Sequence, residues 1–119
     1  MEKALLEIAQ AFLLRLRSRK PLIKIMHTEL SRYPKEVGDA FKRTIIMIHQ
    51  ELAQYFKTCQ EKNLLKDIHP MLLAHNFLGV FFSYFLIKDL KEINTDNHIP
   101  EEEIIKRYVK IFLKGVSKD

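Results

Sequence analysis

The most constraining feature of this chain is the run from Met71 to Ile87, 17 residues without a single charge. Only His75, Asn76 and Ser83 in it are clearly polar. At 100° per residue its apolar side chains go all the way round a helix, and such a helix is expected to be buried on every side. Any fold proposed for the chain must supply those neighbours.

The length bounds the supply. A chain of 119 residues is one domain, and a domain of that size leaves about a third of its unfolded-chain surface exposed. Gly and Pro together number only 7, against roughly 14 from average usage. That shortage disfavours sandwiches, barrels and Gly-rich phosphate loops. Four prolines punctuate the chain, at 21, 34, 70 and 100, and the segments around them read as helices. The fold class is therefore all-α, with about five helices.

Helix one is expected over about Glu2–Ser18, with Leu5, Ile8, Ala9, Phe12, Leu13 and Leu16 at spacings of three and four. Helix two covers about Pro21–Arg32. Helix three follows Pro34 to about Lys62, with the stripe Val37, Phe41, Ile45, Ile48, Leu52, Tyr55, Phe56 and Cys59. Asn63 suits a left-handed terminator. Helix four covers about Pro70–Lys91. Helix five starts at Pro100 behind the cap-type residues Thr95, Asp96 and Asn97, with Glu101, Glu102 and Glu103 at its positive dipole end. Its apolar residues span an arc of roughly 200°, more than an ordinary core-facing helix needs.

Two such helices exceed what five helices bury within one monomer. Lipid is one solution and a second copy is the other. The run lies at the short edge of a spanning length and carries His75 and Asn76, so pairing with a second copy is the stronger choice. Helices four and five would then form an intermolecular four-helix bundle, a homodimer seam with no membrane. Gly79 suits a close crossing, or equally an internal packing contact. Asn76 and Ser83 share a face beside it.

Chemistry is sparse. The net charge is +5, but its one cluster, Arg15, Arg19 and Lys20 with Arg17 pointing away, lies where cations complement the end of helix one. A phosphate-contacting role is the alternative. No two of the five histidines are spaced i, i+3 or i+4, so no metal face is expected. Cys59, the one cysteine, falls on an apolar stripe, where a buried inert thiol is the ordinary outcome. With no phosphate loop and no nucleophile motif, catalytic residues, metals and cofactors are all expected to be absent. No basic-then-apolar leader follows Met1, so a cytoplasmic setting is the default.

Polar residues within apolar stripes are the remaining candidates. Thr44 and Glu51 project near the middle of the helix-three stripe. A carboxylate there needs a partner or a ligand, unless it bends to the rim and pairs with a lysine. His75 is either a satisfied interior histidine or a ligand contact. The methionines and phenylalanines form either an ordinary core or a pliable pocket.

Three stretches carry a family resemblance. They are Glu29-Leu30-Ser31-Arg32-Tyr33-Pro34 before the long helix, Asp67-Ile68-His69-Pro70 followed by Ala74 and Gly79, and Phe112-Leu113-Lys114-Gly115-Val116 near the end. In that order the chain resembles the C-terminal regulatory domain of TetR-family transcriptional regulators. Asn63 stands where many relatives have glycine and keeps the same turn chemistry.

The resemblance implies a dimer held by helices four and five and a cavity among helices one to four for a small, usually apolar effector. That effector would shift two DNA-reading heads, so that their half-site spacing no longer fits. The family's N-terminal helix-turn-helix unit is not found in this chain, which alone is not expected to read DNA. Helix geometry nominates Phe12, Leu16, Met26, Thr44, Ile48, Glu51, His75 and Phe82 for the effector. It nominates Asn76, Gly79, Ser83, Ile105, Tyr108, Val109 and Phe112 for the dimer seam. A stand-alone helical adaptor that binds a partner protein through helix four is the competing class.

Overall fold

The computed structural model describes residues 1–28, 35–94 and 98–118, and the side chains of all of these except 26–28 and 37. Five α-helices follow in order: α1 (Glu2–Ser18), α2 (Lys20–Thr28), α3 (Lys35–Glu61), α4 (Pro70–Phe85) and α5 (Glu101–Val116). A π-helical turn, Leu86–Leu90, continues α4. The fold is all-α, and among the described residues the only extended pairing is a single antiparallel bridge between Leu65 and Ser117.

The helix boundaries follow local chemistry. Pro70 begins α4 where its missing N–H costs nothing, and the imidazole Nδ1 of the capping His69 accepts from the Met71 amide at 3.2 Å. After α3, Asn63 turns the chain at φ 63°, as expected for this residue type. Pro100 caps α5 rather than opening it, so the first helical residue is Glu101. The expected caps Thr95, Asp96 and Asn97 lie outside the described residues, as does the end of helix two past Thr28.

The core is one cluster built around aromatic rings. Phe56 of α3, Phe77 and Phe81 of α4, and Phe112 of α5 are all buried. Phe77 stacks edge-on against Phe112 at 5.0 Å and against Phe81 at 5.2 Å, and Phe56 meets Phe112 at 5.5 Å. These are favoured ring separations, adding about 0.5–1.5 kcal/mol per pair beyond area burial. Leu5, Ala9, Phe12, Leu13 and Leu16 of α1 close the same core.

Part of the apolar arc of helix five departs from expectation, since it faces the protomer's own core, while Tyr108 is half-buried and Ile111 is 68% exposed. Ile104, Ile105, Val109, Phe112 and Val116 are buried within the protomer, with Val109 at 0% exposure, because α1 packs along that face and the rings of Phe56 and Phe77 meet Phe112. Helix four, by contrast, is not buried on every side. Leu73, Ala74, Phe77, Leu78, Phe81 and Phe85 face inward, while Leu72 is 63% and Val80 41% exposed. The segment Pro70–Leu90 is long and apolar enough to cross a membrane by length and composition, with mean hydropathy 1.6, but its inner side packs on α1 and α3.

The protomer is a slab of 48 × 36 × 18 Å. Its radius of gyration, 15.5 Å, exceeds the roughly 13.5 Å expected for a closed domain of this length. An 18 Å thickness admits about two helix layers, so a helix in either layer has one side uncovered.

Two polar devices tie the slab's ends. The Lys66 amide donates to the Val116 carbonyl at 2.8 Å and the Lys118 amide to the Leu64 carbonyl at 3.0 Å, pinning the C-terminus to the α3–α4 connection. At the other end, Arg17 Nε donates to Asp89 at 2.8 Å while both Nη atoms grip Glu101. The π turn widens the helix just where Leu90 must reach the core and Asp89 must reach Arg17. Tyr84 Oη also donates to Glu101 at 2.9 Å.

The Arg17 guanidinium holds the Glu101 carboxyl below its ordinary range, a shift that outweighs the opposing cost of burial. A depressed carboxyl pKa contributes stability that is present above the unfolded value and is lost as pH falls through the folded one. Thermal unfolding from pH 7 down to pH 3 is therefore expected to show a melting temperature that falls through the carboxylate range. In Glu101→Gln that slope should be shallower and the pH 7 value lower. Parallel curves for the two proteins would show that the clamp contributes nothing.

Candidate functional site

α3 is 27 residues long, and α2 has nine among the described residues. Past Leu52 the α3 stripe is buried, at Leu52, Ala53, Phe56 and Cys59. Before it, Phe41, Ile45 and Ile48 are only half-buried. Among the described residues α2 packs on α1 and on the π turn, and Leu22 and Ile23 face Phe41 and Ile45 across a gap. An apolar cleft is left between α1, α2, α3 and α4.

The cleft has three lobes, all meeting at Phe12. The first, about 340 Å³, is lined by Phe12, Leu16, Phe41, Thr44, Ile45 and Ile48, with Arg15, Arg19 and Glu36 at its edge. The second, about 320 Å³, adds Ile8, Glu51, Leu52, Tyr55 and Leu78. The third, about 240 Å³, runs toward α4 between Phe41, Ile45, His49, His75, Leu78, Gly79 and Phe82. Concave, mostly apolar clefts of this size with a few polar groups are the usual form of small-molecule sites.

Seven of the eight residues nominated for an effector line these lobes: Phe12, Leu16, Thr44, Ile48, Glu51, His75 and Phe82. The eighth, Met26, has a side chain outside the described ones. Glu51 takes the rim position, one of the two places expected for it, because Leu52 and Ala53 take the inward positions. Thr44 spends its hydroxyl on its own helix, donating to the Ala40 carbonyl at 3.1 Å.

Sequence reasoning missed Arg15, Phe41, Ile45, His49 and Leu78 as wall residues. The histidines show why. His49 and His75 are 26 positions apart, so no helical spacing links them, yet α3–α4 packing brings their rings to 5.8 Å. His49 Nδ1 lies 2.8 Å from the Ile45 carbonyl, so that nitrogen carries the proton and donates. Among the described residues no group of three or more His, Cys, Asp or Glu is placed to hold a metal ion.

On the other side of α4 lies a second surface. Leu72, Asn76, Gly79, Val80, Ser83 and Ile87 recur at spacings of three and four and are all exposed. All of these except Leu72 floor, with Tyr84 and Tyr108, a shallow hollow of about 460 Å³. Of the residues nominated for the seam, Asn76, Gly79, Ser83 and Tyr108 lie here. Ile105, Val109 and Phe112 do not; they point into the protomer core. Gly79 serves no internal packing contact either, since a Cβ built there would meet nothing within 4 Å. His75 and Gly79 line both the hollow and the third lobe, so a single helix separates cleft from outer face.

The cleft makes a direct prediction. Ile48→Phe should cut the affinity for the neutral fluorophore phenylnaphthylamine by about tenfold, equivalent to ~1.4 kcal/mol, with helicity by circular dichroism unchanged. An unchanged affinity would mean that the fluorophore binds elsewhere.

Comparison with known proteins places this geometry. The family model for the C-terminal domain of AefR-like transcriptional repressors matches residues 3–115. The HTH-type transcriptional regulator YvkB of Bacillus subtilis (strain 168) is 28% identical over 117 residues, covering 98% of this chain and 61% of the relative. The chain thus spans about three fifths of that relative's length. No solved structure matches it.

Proposed function

The chain belongs to the AefR-like C-terminal domain family of TetR-type transcriptional repressors, and from that premise we propose that it is the effector-sensing and dimerisation part of a soluble, cytoplasmic regulator. The observation that carries the reading is the double use of α4. One edge of it closes an apolar cleft, and the opposite face presents an apolar stripe that the protomer leaves uncovered.

In this reading a small apolar effector enters between α1, α2 and α3 and settles against Phe12. A second copy packs its own α4 on the Leu72–Ile87 stripe about a twofold axis, so each stripe meets itself. Asn76 and Ser83 exchange hydrogen bonds within that seam, and Gly79 lets the backbones approach. Tyr108 is the contribution of α5. An effector wedged against His75 and Phe82 moves the helix that sets the position of one protomer against the other. DNA-reading units carried by the two protomers would then change their separation, and operator affinity would fall. The ligand shifts this equilibrium only by its difference in affinity between the two arrangements.

Gly79→Leu separates the seam from the fold. The free space around position 79 means that the protomer accepts leucine, whereas a twofold crossing meets the extra bulk twice. Overpacking of about 1–3 kcal/mol per site should weaken the dimer about tenfold or more in sedimentation velocity, with circular dichroism unchanged. A dimer of undiminished affinity would place Gly79 away from the seam.

A further inference from the structure

The charges at the cleft's edge carry information about the ligand. Among the described residues four charged ones line the first two lobes: Arg15, Arg19, Glu36 and Glu51. They are not evenly placed. Glu36 and Arg19 reach only the first lobe and Glu51 only the second. Arg15 lines both, one helical turn from Phe12, the residue that all three lobes share. Among the described residues the first lobe therefore holds two guanidiniums against one carboxylate.

Arg15 is also uncommitted. Its neighbour Arg17 is consumed by Asp89 and Glu101. Among the described residues Arg15 has no ion pair and no side-chain hydrogen bond; only its backbone carbonyl is engaged, by Ser18. Glu36 and Glu51, which could have neutralised it, do not reach it. A guanidinium has five donors in a planar fork, is weakly hydrated, and pairs with carboxylate in a bidentate way that an ammonium cannot match. Its position at the junction of two lobes lined by Phe12, Phe41, Ile45 and Ile48 sets a polar head beside an apolar body.

We propose that the ligand of this cleft is an acidic amphiphile, a carboxylate with an apolar tail, whose head is held by Arg15 and whose tail runs past Phe12 toward Phe82. This deepens the effector reading and rests on it. Arg19 adds a second cation at the head end of the first lobe. His49 and His75 lie in the third lobe, beside the tail, and leave the head to the guanidiniums. Glu51 lines the second lobe only, which directs the anionic head to the first.

The test uses the full chain with phenylnaphthylamine bound and titrates decanoate, decanol and decylammonium as competitors. Decanoate should displace the fluorophore at a concentration about tenfold or more below decanol, the scale of a charge-assisted hydrogen-bonded pair. Arg15→Gln should abolish that advantage while leaving decanol unchanged, and Arg15→Lys should restore part of it. If decanoate shows no advantage over decanol, if decylammonium binds tightest, or if Arg15→Gln keeps the advantage, the acidic class is wrong while the cleft stands. If the wild-type chain does not take up the neutral fluorophore at all, the effector reading itself falls, and the acidic class with it.

Discussion

The structure turns on an imbalance in α4. Its side chains are apolar around the whole circumference, and a slab two helix layers thick can cover only one side. The inner side takes Phe77, Phe81 and Phe85 into the core against α1, α3 and α5. The outer side keeps Leu72, Val80 and Ile87 in contact with water. At roughly 25 cal/mol per Å² of apolar surface removed from water, a helix face of this kind is a standing drive toward association. The interruptions in it, Asn76, Gly79 and Ser83, are small, which makes the face smooth enough for a second helix to approach.

The rest of the protomer divides into a fixed part and an open part. The fixed part is the ring cluster of Phe56, Phe77, Phe81 and Phe112, held at one end by the Leu65–Ser117 bridge and at the other by the Arg17 grip on Asp89 and Glu101. The open part is the first half of α3, where Phe41, Ile45 and Ile48 are half-buried among the described residues. Because Phe12 belongs to both the core cluster and the cleft, a ligand pressed against it bears on the fixed part directly. Close-packed interiors transmit such a displacement rather than absorb it.

Much of this was legible in the sequence, and the limits of legibility have physical causes. Prolines and Asn63 marked the helix ends, because φ restriction and positive φ are local properties. Periodicity identified which faces are apolar, and so recovered Phe12, Leu16, Ile48 and Phe82 as neighbours of a cavity. It could not say which apolar face meets which. The broad stripe of α5 therefore pointed toward a partner, whereas Ile105, Val109 and Phe112 are buried within the protomer. The proximity of His49 to His75 depends on the packing of α3 against α4, and the role of Arg17 depends on a π turn that no propensity signals. The stretch Glu29–Pro34, which carried part of the family resemblance, lies outside the described residues, though within the family match over residues 3–115.

The central claim is that α4 leaves the protomer incomplete. Sedimentation equilibrium of the wild-type chain at micromolar concentration tests it most directly. The account predicts a species of twice 14.1 kDa that dissociates only on dilution. A single soluble species of 14.1 kDa across that range would contradict it, since the exposed face of α4 would then be stable in water without a partner.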